Sequence, residues 1–266
     1  MAGKISRIKY YFRIWLLMSK NAFLVVLSQK LLFFVFLTGK TIRFIFFGAF
    51  LFFLIKGVDN LAGYSLNQTI FFFLTFNLID VIAQFFFREV YRFRPLVVSG
   101  GFDLILTKPM NALFRVLVGG ADIIDLVTIP PLIVAVIWMG GQLNPSAIHV
   151  LMFIVLIINS LMIATAFHIA IMALGIITFE IDHTIMIYRD LVNLGRFPID
   201  IYRQPLQGVL TYLIPVGVMI TLPAKTLMGL ISVSGITVSL LLGIFSVFVS
   251  IRFWRFALTK YSSASS

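Results

Sequence analysis

Long apolar runs broken by short charged stretches set the plan of the chain. Apolar residues dominate 41–55, 67–87, 113–139, 148–178, 205–229 and 231–254, and most of the charge falls in the breaks and at both ends. About 20 consecutive apolar residues let a helix cross the hydrocarbon core of a bilayer. Backbone groups in lipid must pair within the protein, and the runs lack the ten-residue alternation of a membrane barrel, so helices remain. The pattern predicts an all-α membrane protein with about six transmembrane helices. Pro130-Pro131 predicts a kink in the third span, and the fourth is long enough to tilt or project from the bilayer.

The two ends of this series read differently from its middle. Over residues 4–20, Ile5, Ile8, Phe12, Trp15 and Ser19 fall near one helical face, while Lys4, Arg7, Lys9, Arg13 and Lys20 supply positive charge. That make-up, with Tyr10, Tyr11 and Trp15, predicts an amphipathic helix in the membrane interface. The run 22–55 is interrupted by Gln29-Lys30, Lys40 and Arg43. A charge at mid-bilayer costs about 3 kcal/mol on insertion scales. The first span is therefore expected from Thr41 to about Ile55, with Lys40 and Arg43 snorkelling to the inner interface and 22–38 continuing the lead-in. Residues 179–204 mix Glu180, Asp182, Arg189, Asp190, Arg196, Asp200 and Arg203 with apolar positions, and the next run is cut by Pro205, Pro215 and Pro223. The fifth crossing is expected within 184–229, the rest of that window forming a re-entrant or interfacial hairpin on the outer side. This gives one membrane domain over 1–266: an interfacial and lead-in helix to residue 40, the membrane part over 41–254, and a tail over 255–266.

Composition agrees with lipid as the main solvent. The chain is 61% hydrophobic and 12% charged, where a soluble domain carries about a quarter charged residues. A net charge of +11 on a soluble protein would suggest nucleic acid. Here Lys and Arg gather at span ends, which argues against a nucleic-acid partner. The first 30 residues hold six, residues 88–115 hold five, and Arg252, Arg255 and Lys260 close the chain, whereas 57–66 and 140–147 hold none. The positive-inside bias places both termini and the 88–112 loop in the cytoplasm, in a bacterial-type cell membrane. No cysteine is present, which excludes disulfides, thiolate metal sites and a cysteine nucleophile. The N-terminus shows no cleavable signal pattern.

Few residues suggest chemistry. Leu37-Thr38-Gly39-Lys40-Thr41 imitates the end of a phosphate-binding loop, but Phe34 stands where its first glycine is required. Asn77, Asp80 and Gln84 make a polar stripe in the second span, with Arg88 a turn further on. Such a stripe lines a pathway or subunit contact, or locks helix packing. Arg115, Asp122 and Asp125 lie near one face of the expected third span; Lys40, Arg43 or Arg115 could pair with the acids. Asp122 and Asp125 also permit a second reading, a magnesium-dependent intramembrane transferase, although two acids hold that ion poorly. A third is an ATP-independent channel or scaffold. His168 stands alone in mid-span, and His149 and His183 form no metal-spaced set.

Four patches carry a family resemblance. They are Ser99-Gly100-Gly101-Phe102-Asp103-Leu104-Ile105-Leu106-Thr107-Lys108-Pro109-Met110-Asn111; Arg196-Phe197-Pro198-Ile199-Asp200-Ile201-Tyr202; Leu210-Thr211-Tyr212-Leu213-Ile214-Pro215 with Leu222-Pro223-Ala224; and Tyr261-Ser262-Ser263-Ala264-Ser265. In order and spacing the chain resembles the ABC type-2 permeases, in particular the small six-span subgroup without a fused ATPase domain. The resemblance implies a permease subunit of an ABC exporter, paired with a second identical or related permease chain and driven by separate ABC ATPase subunits. ATP and magnesium would be bound by those partners, and this chain would hold no cofactor and no catalytic residue. It also implies an interfacial N-terminal helix, six spans and outer re-entrant helices before the last span. A short helix in the first cytoplasmic loop docks onto the ATPase in such proteins. Here that maps onto about Glu89–Leu104, with Glu89, Tyr91, Arg92, Phe93, Arg94 and Asp103 as the docking residues. Asn77, Asp80, Gln84, Asp122 and Asp125 would line the pathway or the contact between permeases.

Overall fold

The computed structural model describes residues 2–58, 60–178 and 181–262, with backbone alone for 2–6, 55, 58 and 181. Glu180 and Ser263 to Ser265, which figured in the sequence reading, lie outside the described residues. The fold is all-helical, with no named strand among the described residues. Among the described residues, six helices are long and apolar enough to cross a membrane.

Helices α1 (Ala2–Ser28) and α2 (Lys30–Val58) follow one another with a single break at Gln29. α1 is apolar from Arg7 to Ser28, though the least so of the six. Its polar contacts join the ends of other helices. The Asn111 amide donates to the Tyr11 hydroxyl at 3.2 Å, and the Ala121 amide to Ser19 Oγ at 3.2 Å. The Trp15 ring lies about 6 Å from Phe85 and Phe86, at the last turn of α3 (Leu66–Phe87). α1 thus lies across one end of the bundle, as an interfacial helix does.

α2 differs from the expected first span. It begins at Lys30, not Thr41, and its 29 residues reach about 44 Å at 1.5 Å per residue. Lys40 does not snorkel to an interface; its ammonium turns inward and pairs with Asp125. A paired ammonium no longer forces the helix to start beyond it.

α3 starts with a capping box, Ser65 and Gln68 exchanging side-chain and backbone bonds. It is the axial helix of the bundle and the most deeply buried of the six. A tight 3-10 turn at Arg88–Arg92 leads into two six-residue helices, α4 (Phe93–Val98) and α5 (Gly101–Leu106). Gly100 joins them at φ 73°, a left-handed conformation that costs glycine little.

The expected third span, 113–139, is broken in the structure. α6 (Ala112–Leu117) ends ahead of Gly119-Gly120, and the crossing helix is α7 (Ile123–Gln142), which stays helical through Pro130-Pro131. Two glycines followed by an aspartate make a poor helix interior but a good helix start. Asp122 is the N-cap, accepting the Ile124 amide at 2.8 Å. α8 (Ala147–Thr178) matches the fourth span closely and packs along α12 (Val233–Lys260). There the Asn159 amide donates to the Ser239 carbonyl at 2.9 Å, opposite Gly243, where any side chain would overlap Asn159.

The fifth crossing can be located from its end contacts. Asp182, at the start of α9 (Ile181–Asn193), bonds Arg94 on the loop face at 3.1 Å. Eighteen residues on, Asp200 accepts the hydroxyl of Tyr64, just before α3 on the opposite face, at 2.9 Å. The chain therefore traverses the bundle over 182–200. The remainder is a hairpin bent by 76°: Leu206–Leu213, containing the single turn α10 (Leu206–Gly208), and Gly217–Leu227, ending in α11 (Leu222–Leu227). Asp200 ties both its arms, to Lys225 at 2.7 Å and Gln207 at 3.5 Å. The tip at Tyr212–Pro215 reaches Phe167 and Phe253, towards the loop-face ends of α8 and α12. A hairpin pinned at one face with its tip deep in the bundle is re-entrant. Burial and the Asp200 carboxylate push the Tyr64 phenol well above its ordinary value, so this pin stays protonated at neutral pH.

Cysteines introduced singly into this cysteine-free chain test the two faces. Leu104→Cys and Leu230→Cys, both exposed, are expected to react with an impermeant maleimide from opposite sides of sealed vesicles. Labelling of both from one side would contradict the topology.

Candidate functional site

Two polar regions stand out: a platform on the loop face and a groove beneath α2. The platform contains the six residues assigned to docking, and burial divides them. Glu89 is buried and bonds Arg115 at 2.9 Å, with Arg92 at 3.8 Å. Phe93 is fully buried against Phe102 and Trp254, with ring centres 5.2 and 6.2 Å away. Tyr91 is half-buried, its ring 6.3 Å from His168. Asp103 lies beside Tyr261, whose phenol burial and that carboxylate raise to about 12. Tyr91, Phe93 and Asp103 anchor the platform to α8 and to the end of α12, and Glu89 ties it to α6. Arg92 and Arg94 are exposed, and with them Val98, Leu104, Leu106 and Lys108, which complete a mixed basic and apolar surface. The apolar part was not singled out by sequence; the pattern of Val97 and Ile105 in and Val98 and Leu104 out could have shown it.

The groove lies between α2, α3 and α7. A cavity of about 460 Å³ is lined by Lys40, Arg43, Gln84, Arg88, Asp122 and Asp125, among others. Asp125 is 3% exposed and holds Lys40 across the groove. Asp122, while capping α7, also bonds Arg88 Nε at 3.2 Å. Arg115, expected beside these acids, is on the platform with Glu89 instead, because the break at 118–122 separates α6 from α7. Asp80 accepts Gln84 Nε2 at 2.7 Å one turn along the same helix, and Asn77 donates to the Phe73 carbonyl at 2.7 Å. All three members of the stripe thus find a partner within α3. Asn77 and Asp80 also line a small pocket with Arg43 and Arg196. Arg196 stacks over Phe47 and Phe76 at 5.5 and 5.8 Å, and was not assigned to the site from sequence.

The acids once open to a transferase reading are engaged, Asp122 as cap and ion pair and Asp125 with Lys40. Among the described residues no three His, Asp or Glu side chains cluster as metal ligands do. His168 is buried with Nδ1 on the Ala164 carbonyl at 2.7 Å, inside a cage of Phe87, Tyr91 and Tyr188.

The helices, the pinned re-entrant hairpin and the charged groove define a multi-pass membrane protein. Residues 40–265 match the family described as ABC-2 family transporter protein, and the chain belongs to that family. It is accordingly a membrane component of an ABC transporter. No curated protein and no solved structure matches the chain.

The Lys40–Asp125 pair yields a direct test. Removing one partner of a buried ion pair leaves an uncompensated charge and costs about 3–5 kcal/mol, whereas replacing both with apolar residues is often near neutral. Lys40→Met or Asp125→Leu alone is expected to lower the melting temperature in mild detergent, and the double variant to restore most of it. Additive losses would contradict the pairing.

Proposed function

We propose that this chain is the permease subunit of an ABC exporter, forming the translocation pathway with a second permease chain and driven by separate ATPase subunits. Family membership carries the reading, and the loop-face platform supports it. Exposed Arg92, Arg94 and Lys108 beside Val98, Leu104 and Leu106 offer a soluble partner both charge and apolar area. Beneath them the platform is fixed by Phe93 and Phe102 on Trp254 and by Glu89 on Arg115. A rigid platform joined to the spans transmits movement; a loose one absorbs it. The basic residues of the N-terminal helix, the platform and the C-terminal end lie on one face, which the positive-inside rule assigns to the cytoplasm. ATP binding draws the two ATPases together, the platforms follow, and the helices move as rigid bodies to open the pathway outward. ATP and magnesium stay with the ATPases, and this chain contributes no catalytic group.

The test is purification of the tagged chain in mild detergent with identification of what accompanies it. An ABC ATPase is expected in stoichiometric amount. Arg94→Glu with Leu104→Asp, at exposed positions, should release it or lower coupled ATP hydrolysis about tenfold or more while the chain keeps its melting temperature. Glu89→Ala is a poorer probe, because Glu89 is buried and its loss frees Arg115. A chain that purifies alone from gently solubilised native membrane would refute the proposal.

A further inference from the structure

The groove beneath α2 changes character along its length, and that change names a ligand. Its loop-face end is the polar cavity of about 460 Å³. Further along α3 and α7 lies an apolar cavity of about 480 Å³, walled by Phe44, Ile45, Ile70, Leu74, Leu132 and Ala135. Lys40 and Asp125 line the polar cavity where it borders the apolar one, next to Thr41 and Thr128 of the apolar wall. The small pocket containing Arg43 and Arg196 shares Arg43 with the polar cavity and shares Phe44, Phe73 and Asn77 with the apolar one.

Charge in this groove is unbalanced. Lys40, Arg43, Arg88 and Arg196 face Asp80, Asp122 and Asp125, four cations against three carboxylates. Lys40 and Arg88 are paired with Asp125 and Asp122. Among the described residues neither Arg43 nor Arg196 has a carboxylate within ion-pair distance. Each is propped on aromatic rings instead, Arg43 on Phe44 at 5.7 Å and Arg196 on Phe47 and Phe76. Two unpaired guanidinium groups at membrane depth are costly, and an anion is their natural complement. A planar guanidinium also presents paired donors that fit a phosphate or carboxylate.

We infer that this groove binds an anionic amphiphile, with its phosphate or carboxylate head in the polar cavity of about 460 Å³ against Arg43, on the side where Arg196 lies, and its apolar tail in the cavity beyond the Lys40–Asp125 pair. The inference deepens the permease reading by giving its cargo a chemical class. An arriving head also competes with Asp125 for Lys40, so entry of the ligand loosens the tie between α2 and α7 that separates the two cavities.

The test uses the full-length chain in a neutral maltoside detergent, without any ATPase, and follows binding of labelled dodecyl phosphate. Saturable binding is expected, unaffected by dodecyltrimethylammonium, which carries the same tail on a cation. Arg43→Gln with Arg196→Gln should weaken it at least about tenfold through loss of two charge-assisted contacts. Arg43→Lys with Arg196→Lys should weaken it less than the glutamine pair, because the charge stays while the planar fork is lost, and Arg255→Gln should leave it unchanged. Retained folding of each variant is checked by its melting temperature. Displacement by phosphatidylglycerol would assign the head to a resident lipid, and resistance to displacement would assign it to a transported amphiphile; both keep the anionic chemistry. Equal displacement by dodecyltrimethylammonium, binding unchanged in the double glutamine variant, or inorganic phosphate binding as tightly as dodecyl phosphate would overturn the inference. Because no ATPase takes part, failure here leaves the permease reading intact, and absence of a co-purifying ATPase leaves this result intact.

Discussion

A charge below the membrane surface must find a partner, and the buried pair of Lys40 with Asp125 is where this protein meets that constraint most directly. The pair fixes α2 to the start of α7 and decides how α2 enters the membrane. With Lys40 neutralised from within, the helix runs unbroken from Lys30 to Val58. Its outer surface is otherwise apolar and lightly packed, with Leu51 and the Phe47–Phe73 stack among its few inward contacts. A helix held by few contacts, one of them ionic, is well suited to move relative to the bundle.

The opposite face depends on a second carboxylate. Asp200 gathers Tyr64, Gln207 and Lys225, and so joins the loop before α3, the end of the fifth crossing and both arms of the re-entrant hairpin. Close to that junction, Gly195 admits the Val216 and Ile220 side chains, so the hairpin lies hard against the crossing it follows. The two carboxylates divide the labour of the fold. Asp125 holds α2 on one side of the bundle, and Asp200 holds the outer cap on the other.

Much of this was legible in the sequence. The fold class, the position of α8, the re-entrant hairpin and the family all follow from apolar runs, prolines and four short patches. What escaped was set by pairing at a distance. Lys40 looked like an interfacial residue because nothing local reveals that Asp125, 85 positions on, lies opposite. The break at 118–122 was legible, since Gly119-Gly120 before Asp122 signals a helix start, but a continuous apolar run hid it. Glu89 and Phe93 read as surface because they sit in a charged loop; their burial depends on Arg115 and Trp254, which only the fold brings near. Arg196 gave no signal of its own, because its partners are the faces of Phe47 and Phe76.

In the proposed mechanism, ATP bound by a partner drives this groove between inward and outward exposure. The absence of native cysteine permits one direct measurement. Thr41→Cys, on the wall of the apolar cavity, is to be labelled with an impermeant maleimide from each side of sealed vesicles containing the assembled transporter. The account predicts that ATP, with an ATPase that binds but does not hydrolyse it, lowers reactivity from the platform side and raises it from the opposite side. Reactivity from both sides that ATP leaves unchanged would contradict the account.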